Sequence, residues 1–186
     1  MATYGVERGR VFVKGPWEAI KPSSDADEVI DQLCPAVVRL PRAREEDYGL
    51  EYCGVIYSVG DGLYYASHPS PLHDSRAGRV SPQKNCYVPS IVRDDRGHTV
   101  RLGDYHSHPW EGSRMSSGPP GDRRSATQFY SFRIQFDTAC TLQKYVPYMN
   151  EDRPGELFVR RGKIWKLIGI IKPENKSTGI VTHVDG

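Results

Sequence analysis

The chain has 186 residues and a mass of 21.0 kDa, the size of one ordinary domain, which excludes a fusion of two enzymes. Val, Ile, Leu and Phe together make 40 of the 186 residues, just above the roughly 20% below which a highly charged chain tends to stay unfolded. With 25 Lys and Arg against 23 Asp and Glu and a pI near 8.3, charge gives no reason to expect nucleic acid as a partner or disorder by self-repulsion.

No window holds the ~20 consecutive apolar residues needed to span a bilayer. The opening stretch, MATYGVERGRVFVKG, lacks the apolar run of a signal peptide. The expectation is a chain without membrane contact, cytoplasmic or carried into a target cell as part of a secreted effector. Cys34, Cys53, Cys86 and Cys140 contain no C-x-x-C, so free thiols in a reducing compartment are expected. Gly and Pro number 18 and 14, a turn-rich composition that argues against a helical bundle.

Along the chain, a short apolar run at Val11, Phe12 and Val13 comes first. Ser24 then offers a cap, Asp25, Asp27 and Glu28 suit a helix N-terminus, and Val29, Ile30 and Leu33 form one stripe. A short helix is predicted there, ended by Pro35. EYCGVIYSVGDGLYYAS reads as two strands joined at Gly60-Asp61-Gly62. His68 to Gln83 reads as a loop, and CYVPSIV and TVRLGDYHSH as strands around the turn Asp94-Asp95-Arg96-Gly97. Trp110 to Gly121 is irregular, Asp122 to Tyr130 a short helix, and SFRIQF, LFVRR and KIWKLIGII strands, the last two joined at Arg161-Gly162. After a loop at 172–176 comes a final strand, Ile180 to Val184.

His106-Ser107-His108-Pro109 ends an apolar strand. Residues two apart on a strand face one side, so the two imidazoles project together and can share a metal ion. A hydrolytic zinc site adds a third protein ligand and keeps one position for water. Asp122, just after the Gly121 turn, is the first choice. Asp104 shares the face of the histidines, but three ligands along one rigid strand spread over about 13 Å, so it suits a supporting role to an imidazole instead. A base for catalysis is offered by Glu51 at the opening of a neighbouring strand.

Glu51-x-Cys53-Gly54, a hairpin, His106-x-His108-Pro109 and then a loop with serine and aspartate resemble the JAMM family of MPN-type zinc metallopeptidases. The likeness covers residues 51–130. It implies one α/β (α+β) domain over 1–186, a curved mixed central sheet flanked by helices in the cytidine-deaminase-like MPN architecture, with a β-rich C-terminal part. Residues 1–50 and 131–186 stay unassigned. It further implies Zn2+ on His106, His108 and Asp122, Glu51 as general base, and Ser116 or Ser117 as oxyanion helper. Ser113 is a further candidate, because the family spacing S-x-x-D counted back from Asp122 falls on Pro119. The implied activity is hydrolysis of a peptide or isopeptide bond in a protein substrate, with ubiquitin or a ubiquitin-like protein as the favoured instance. DYHSHP and RPGELFVRRGK also resemble JAMM-like domains of bacterial toxins and effectors.

Two other functions compete: an inactive MPN-like interaction module whose lengthened loop has lost the metal, and a zinc hydrolase of a small amide. The deaminase signatures H-x-E and P-C-x-x-C are absent. Cys53 reads as a small buried residue, and His68 and His73 as members of a solvated turn. Arg123-Arg124 and Arg160-Arg161 read as solvated surface, and Trp110 as a groove wall or a core residue.

Overall fold

The computed structural model describes residues 2–74, 84–112, 130–150 and 152–184. Asp122, Ser113, Ser116, Ser117, Arg123 and Arg124, together with the helix expected from Asp122, lie outside the described residues. Eleven strands and one α-helix are described: β1 (Tyr4–Glu7), β2 (Arg10–Gly15), α1 (Ala26–Val37), β3 (Cys53–Ser58), β4 (Tyr65–Ala66), β5 (Ile91–Asp94), β6 (Val100–Ser107), β7 (Phe132–Phe136), β8 (Leu142–Val146), β9 (Gly155–Arg161), β10 (Ile164–Ile171) and β11 (Thr182–His183).

The fold is mixed α+β and rich in sheet. An eight-stranded sheet runs β11-β10-β9-β8-β7-β6-β3-β4, antiparallel throughout except for the parallel pair β6 and β7. A second sheet, β1-β2-β5, pairs β2 with β5 in parallel. Strands β3, β6 and β7 are covered on both faces. Ile56, Tyr105, Ile134 and Phe136 pack with Val29, Ile30, Leu33 and Val37 of α1. On the other face Val55 and Tyr57 pack with Val13 and Val92 of the small sheet. Burial on both sides explains the nearly unbroken apolar run CGVIY of β3. Helices were expected to flank the sheet; α1 does so on one face, and among the described residues the small sheet covers the other.

The helix forms where expected but with different ends. Asp25, not Ser24, is its N-cap, with a side-chain oxygen accepting from Asp27 N at 2.9 Å. Pro35 lies inside the last turn, and the helix continues to Val37. The carbonyl deprived of a donor by Pro35 is that of Asp31, where both residues are exposed to water, while buried Leu33, Cys34 and Val37 hold the turn against the core.

All four cysteines are paired, Cys34 with Cys140 and Cys53 with Cys86, which corrects the expectation of free thiols. Spacing along the chain does not report distance in the fold: partners 106 residues apart bring their Cα atoms to 5.6 Å. The Cys34–Cys140 bond ties α1 to the turn between β7 and β8, and closing so long a loop stabilises the fold by about 5 kcal/mol in the chain-entropy account.

Arg160, expected as solvated surface, is held in place instead. Its guanidinium bonds both oxygens of Asp31 at 3.1 and 3.0 Å and lies 5.0 Å from the Trp165 ring centre, joining β9 and β10 to α1. His68 is half-buried, 3.4 Å from the Glu18 carboxylate and beside Trp17, so the solvated-turn reading holds only for exposed His73. Burial is the main influence on His68 and lowers its pKa.

Candidate metal centre

Strand β6 sets the site. Tyr105 points to the helix side, across from Gly54, where a Cβ would overlap its ring. His106 therefore points to the opposite face, between Cys53 on β3 and Gln135 on β7. His108 lies just past the strand end, and its amide donates to the Phe136 carbonyl at 2.9 Å, which extends the alignment with β7. The two imidazoles meet with Nε2 atoms 3.1 Å apart. Two nitrogens bound tetrahedrally to one zinc at about 2.05 Å would sit about 3.3 Å apart, so the pair is already spaced to share an ion.

Glu51 completes the cluster. One carboxylate oxygen and one nitrogen from each histidine all lie within 4.8 Å of one another, and the three residues are 5–7% exposed. Among the described residues this is the one His/Cys/Asp/Glu group with that geometry. The separation suits a carboxylate that either ligates after a small shift or reaches an ion through one water. Burying a carboxylate against two imidazoles is costly unless positive charge is shared among them, and a divalent cation is one source of it.

Glu51 does not open the strand, as expected, but precedes it by two residues. The ladder is carried past Cys53 by a side chain: Tyr52 N donates to Ser107 Oγ at 3.0 Å, and Ser107 N donates to the Tyr52 carbonyl at 3.0 Å. The same arrangement recurs at Ser67, whose Oγ accepts from Val55 N at 3.0 Å and whose amide donates to the Val55 carbonyl at 2.9 Å. Both serines belong to a Ser-His-Pro tripeptide. That repeat was the available sequence signal for a role that the motif reading left unassigned.

The turn around the site is tied down on both sides. Glu46 N donates to the Pro109 carbonyl at 3.1 Å, and a Cβ at Gly49 would strike Pro109. Asp137, buried at the end of β7, accepts from Gly112, Ala139 and Thr141 amides at 2.7, 3.0 and 2.9 Å, and the Trp110 carbonyl accepts from Thr138 N. Asp104, expected to support an imidazole, instead takes Arg133 of β7 at 2.9 and 3.2 Å, with both residues buried. Sequence reasoning did not find Arg133, because only the parallel alignment of β6 and β7 puts it opposite Asp104.

The structure thus brings Glu51, His106 and His108 together, whereas Asp122, Ser116 and Ser117 fall outside the described residues. No family model, no curated protein and no solved structure matches the chain.

Proposed function

We propose that this chain is a zinc-dependent metallopeptidase or isopeptidase of the JAMM type, in the MPN architecture, acting on a protein substrate such as a ubiquitin-like conjugate. The observation carrying the reading is the buried convergence of Glu51, His106 and His108. Two imidazoles and carboxylate oxygens form a donor set that suits zinc. His106 and His108 would hold the ion, with Asp122 as the third ligand and Ser116 or Ser117 beside the oxyanion. Zinc in such a site supplies Lewis acidity, which polarises a carbonyl and acidifies water. Glu51 takes the proton of the attacking water on a carboxylate oxygen and returns it to the leaving amine nitrogen.

The surroundings shape the approach of a substrate. The outer edge of β3 beside the site is already paired, since Cys53 and Ser70 exchange amide and carbonyl bonds at 2.9 and 2.7 Å. An extended substrate therefore lies across the sheet end rather than adding to that edge. Both disulfides favour an oxidising compartment, in keeping with a secreted effector or toxin rather than a cytoplasmic enzyme. No helix among the described residues is long and apolar enough to cross a membrane.

A panel of ubiquitin-like conjugates and small amides, incubated with and without chelator, tests the proposal. Chelator-sensitive cleavage of a conjugate supports it. Turnover of small amides alone would reassign the chain as a small-amide hydrolase, and zinc-free inactive protein would leave an interaction module.

A further inference from the structure

The sulfur pair beside the site is used neither by the proposed hydrolysis nor by the fold's other cross-link. Cys53 is the Cα partner of His106 across β3 and β6, so their side chains share a face as cross-strand neighbours. Cys86 Sγ lies 3.9 Å from Glu51 Oε1, and that carboxylate belongs to the cluster with both imidazoles. A sulfur pair thus borders three ligand-type side chains.

Its two halves are held differently. Cys53 is 2% exposed and bonded through both its amide and its carbonyl to Ser70. Cys86 is half-buried and belongs to no strand. Its neighbours are tied, with Tyr87 N donating to the Leu72 carbonyl at 2.8 Å and Asn85 Oδ1 accepting from Asp74 N at 3.2 Å. Once the S–S bond opens, the Cys86 side chain, held in no ladder, is therefore the half that can turn towards the cluster.

We propose that reduction of the Cys53–Cys86 disulfide converts the centre into a thiolate-containing metal site, in which Cys86 Sγ joins His106 and His108 on one ion. The inference rests on the metal-site reading above. Thiolate is a preferred zinc ligand, and a site that fills its open position with sulfur takes on the closed, four-coordinate character of structural zinc. The oxidised chain then keeps the position that water needs, and the reduced chain blocks it. The step needs a dithiol reductant: it transfers two electrons and two protons, breaks the S–S bond to leave two cysteine thiols, and is itself converted to a disulfide. The Cys86 thiol then loses its proton to solvent on binding the ion.

Cobalt reports the ligands directly. The intact chain is titrated with Co2+ as isolated, and again after dithiothreitol and anaerobic desalting. The oxidised form should show only weak visible bands of nitrogen and oxygen ligation. The reduced form should add a near-ultraviolet thiolate-to-cobalt charge-transfer band and bind zinc at least tenfold more tightly. That band should vanish in Cys86→Ser and in His106→Ala, and persist in Cys140→Ser. If Cys86→Ser fails to fold by circular dichroism, protection of Cys86 from iodoacetamide by zinc, read by mass spectrometry on the reduced wild type, replaces it. A reduced wild type without the band, a band that survives Cys86→Ser, or absent protection overturns the proposal. Failure of the oxidised form to bind cobalt counts against the metallopeptidase reading instead, while the reduced arm still decides the thiolate site.

Discussion

Ser107 and Tyr52 exchange two hydrogen bonds at 3.0 Å each, one through the serine hydroxyl and one through its amide. The hydroxyl stands where a backbone carbonyl would stand in a regular ladder. Glu51, adjacent to Tyr52, and His106 and His108, on either side of Ser107, are thereby fixed to a single point. Ser107→Ala strands the buried Tyr52 N–H and is expected to cost about 1–3 kcal/mol of stability in denaturant unfolding. Ser107→Thr keeps the oxygen and should recover most of that loss. Equal stability of wild type and Ser107→Ala would show that the hydroxyl holds nothing.

Asp94 gives an acid-dependent prediction. Its carboxylate accepts from Arg96 Nε at 2.8 Å and Nη2 at 2.5 Å and from the Tyr57 hydroxyl at 2.6 Å. Arg96, chiefly, and Tyr57 hold its pKa down at about 2, below the ordinary 3.8. A carboxyl whose folded pKa is depressed contributes stability in full above its unfolded pKa and loses it as pH falls through the folded one. Asp94→Asn should therefore cost on the order of 1–2 kcal/mol near neutrality, and the gap to wild type should close as pH drops from about 4 towards 2. A gap that stays constant over that range would contradict the assignment.

The buried Asp104–Arg133 pair fastens β6 to β7 two residues before His106, on the same face of the sheet. Arg133→Met leaves a buried carboxylate uncompensated and is expected to cost about 3–5 kcal/mol. Converting both residues, as Asp104→Leu with Arg133→Met, should be less damaging than the single change, because no charge is then stranded. Thermal unfolding of the two variants side by side checks the order, and the reverse order would mean that the pair itself, rather than its compensation, supplies the stability.

How much of this was legible beforehand follows from which interactions are local. The period of two along DYHSHP was enough to aim His106 and His108 to one side, and Gly60-Asp61-Gly62 marked the β3–β4 hairpin. Glu51 came from its pattern with Cys53-Gly54 rather than from strand periodicity, since the strand begins later. β1 and β8 carry no strand signal in the sequence. β1 (YGVE) is only four residues and mostly exposed. β8 (LQKYV) carries two polar residues, and one of them, Lys144, lies over the Trp165 ring 4.4 Å away. The disulfides and the Asp104–Arg133 pair depend on tertiary neighbours far apart along the chain. No local pattern encodes them.

The proposed hydrolysis requires a divalent ion held by His106 and His108 with Glu51 poised beside it, and zinc content is its most direct test. Elemental analysis of the purified, zinc-incubated and desalted chain should find one ion per wild-type chain. Glu51→Gln should retain that ion while losing cleavage of any substrate found, and a folded His108→Ala should lose both. A wild type without stoichiometric zinc, or a His108→Ala variant that holds as much of it, would contradict the account.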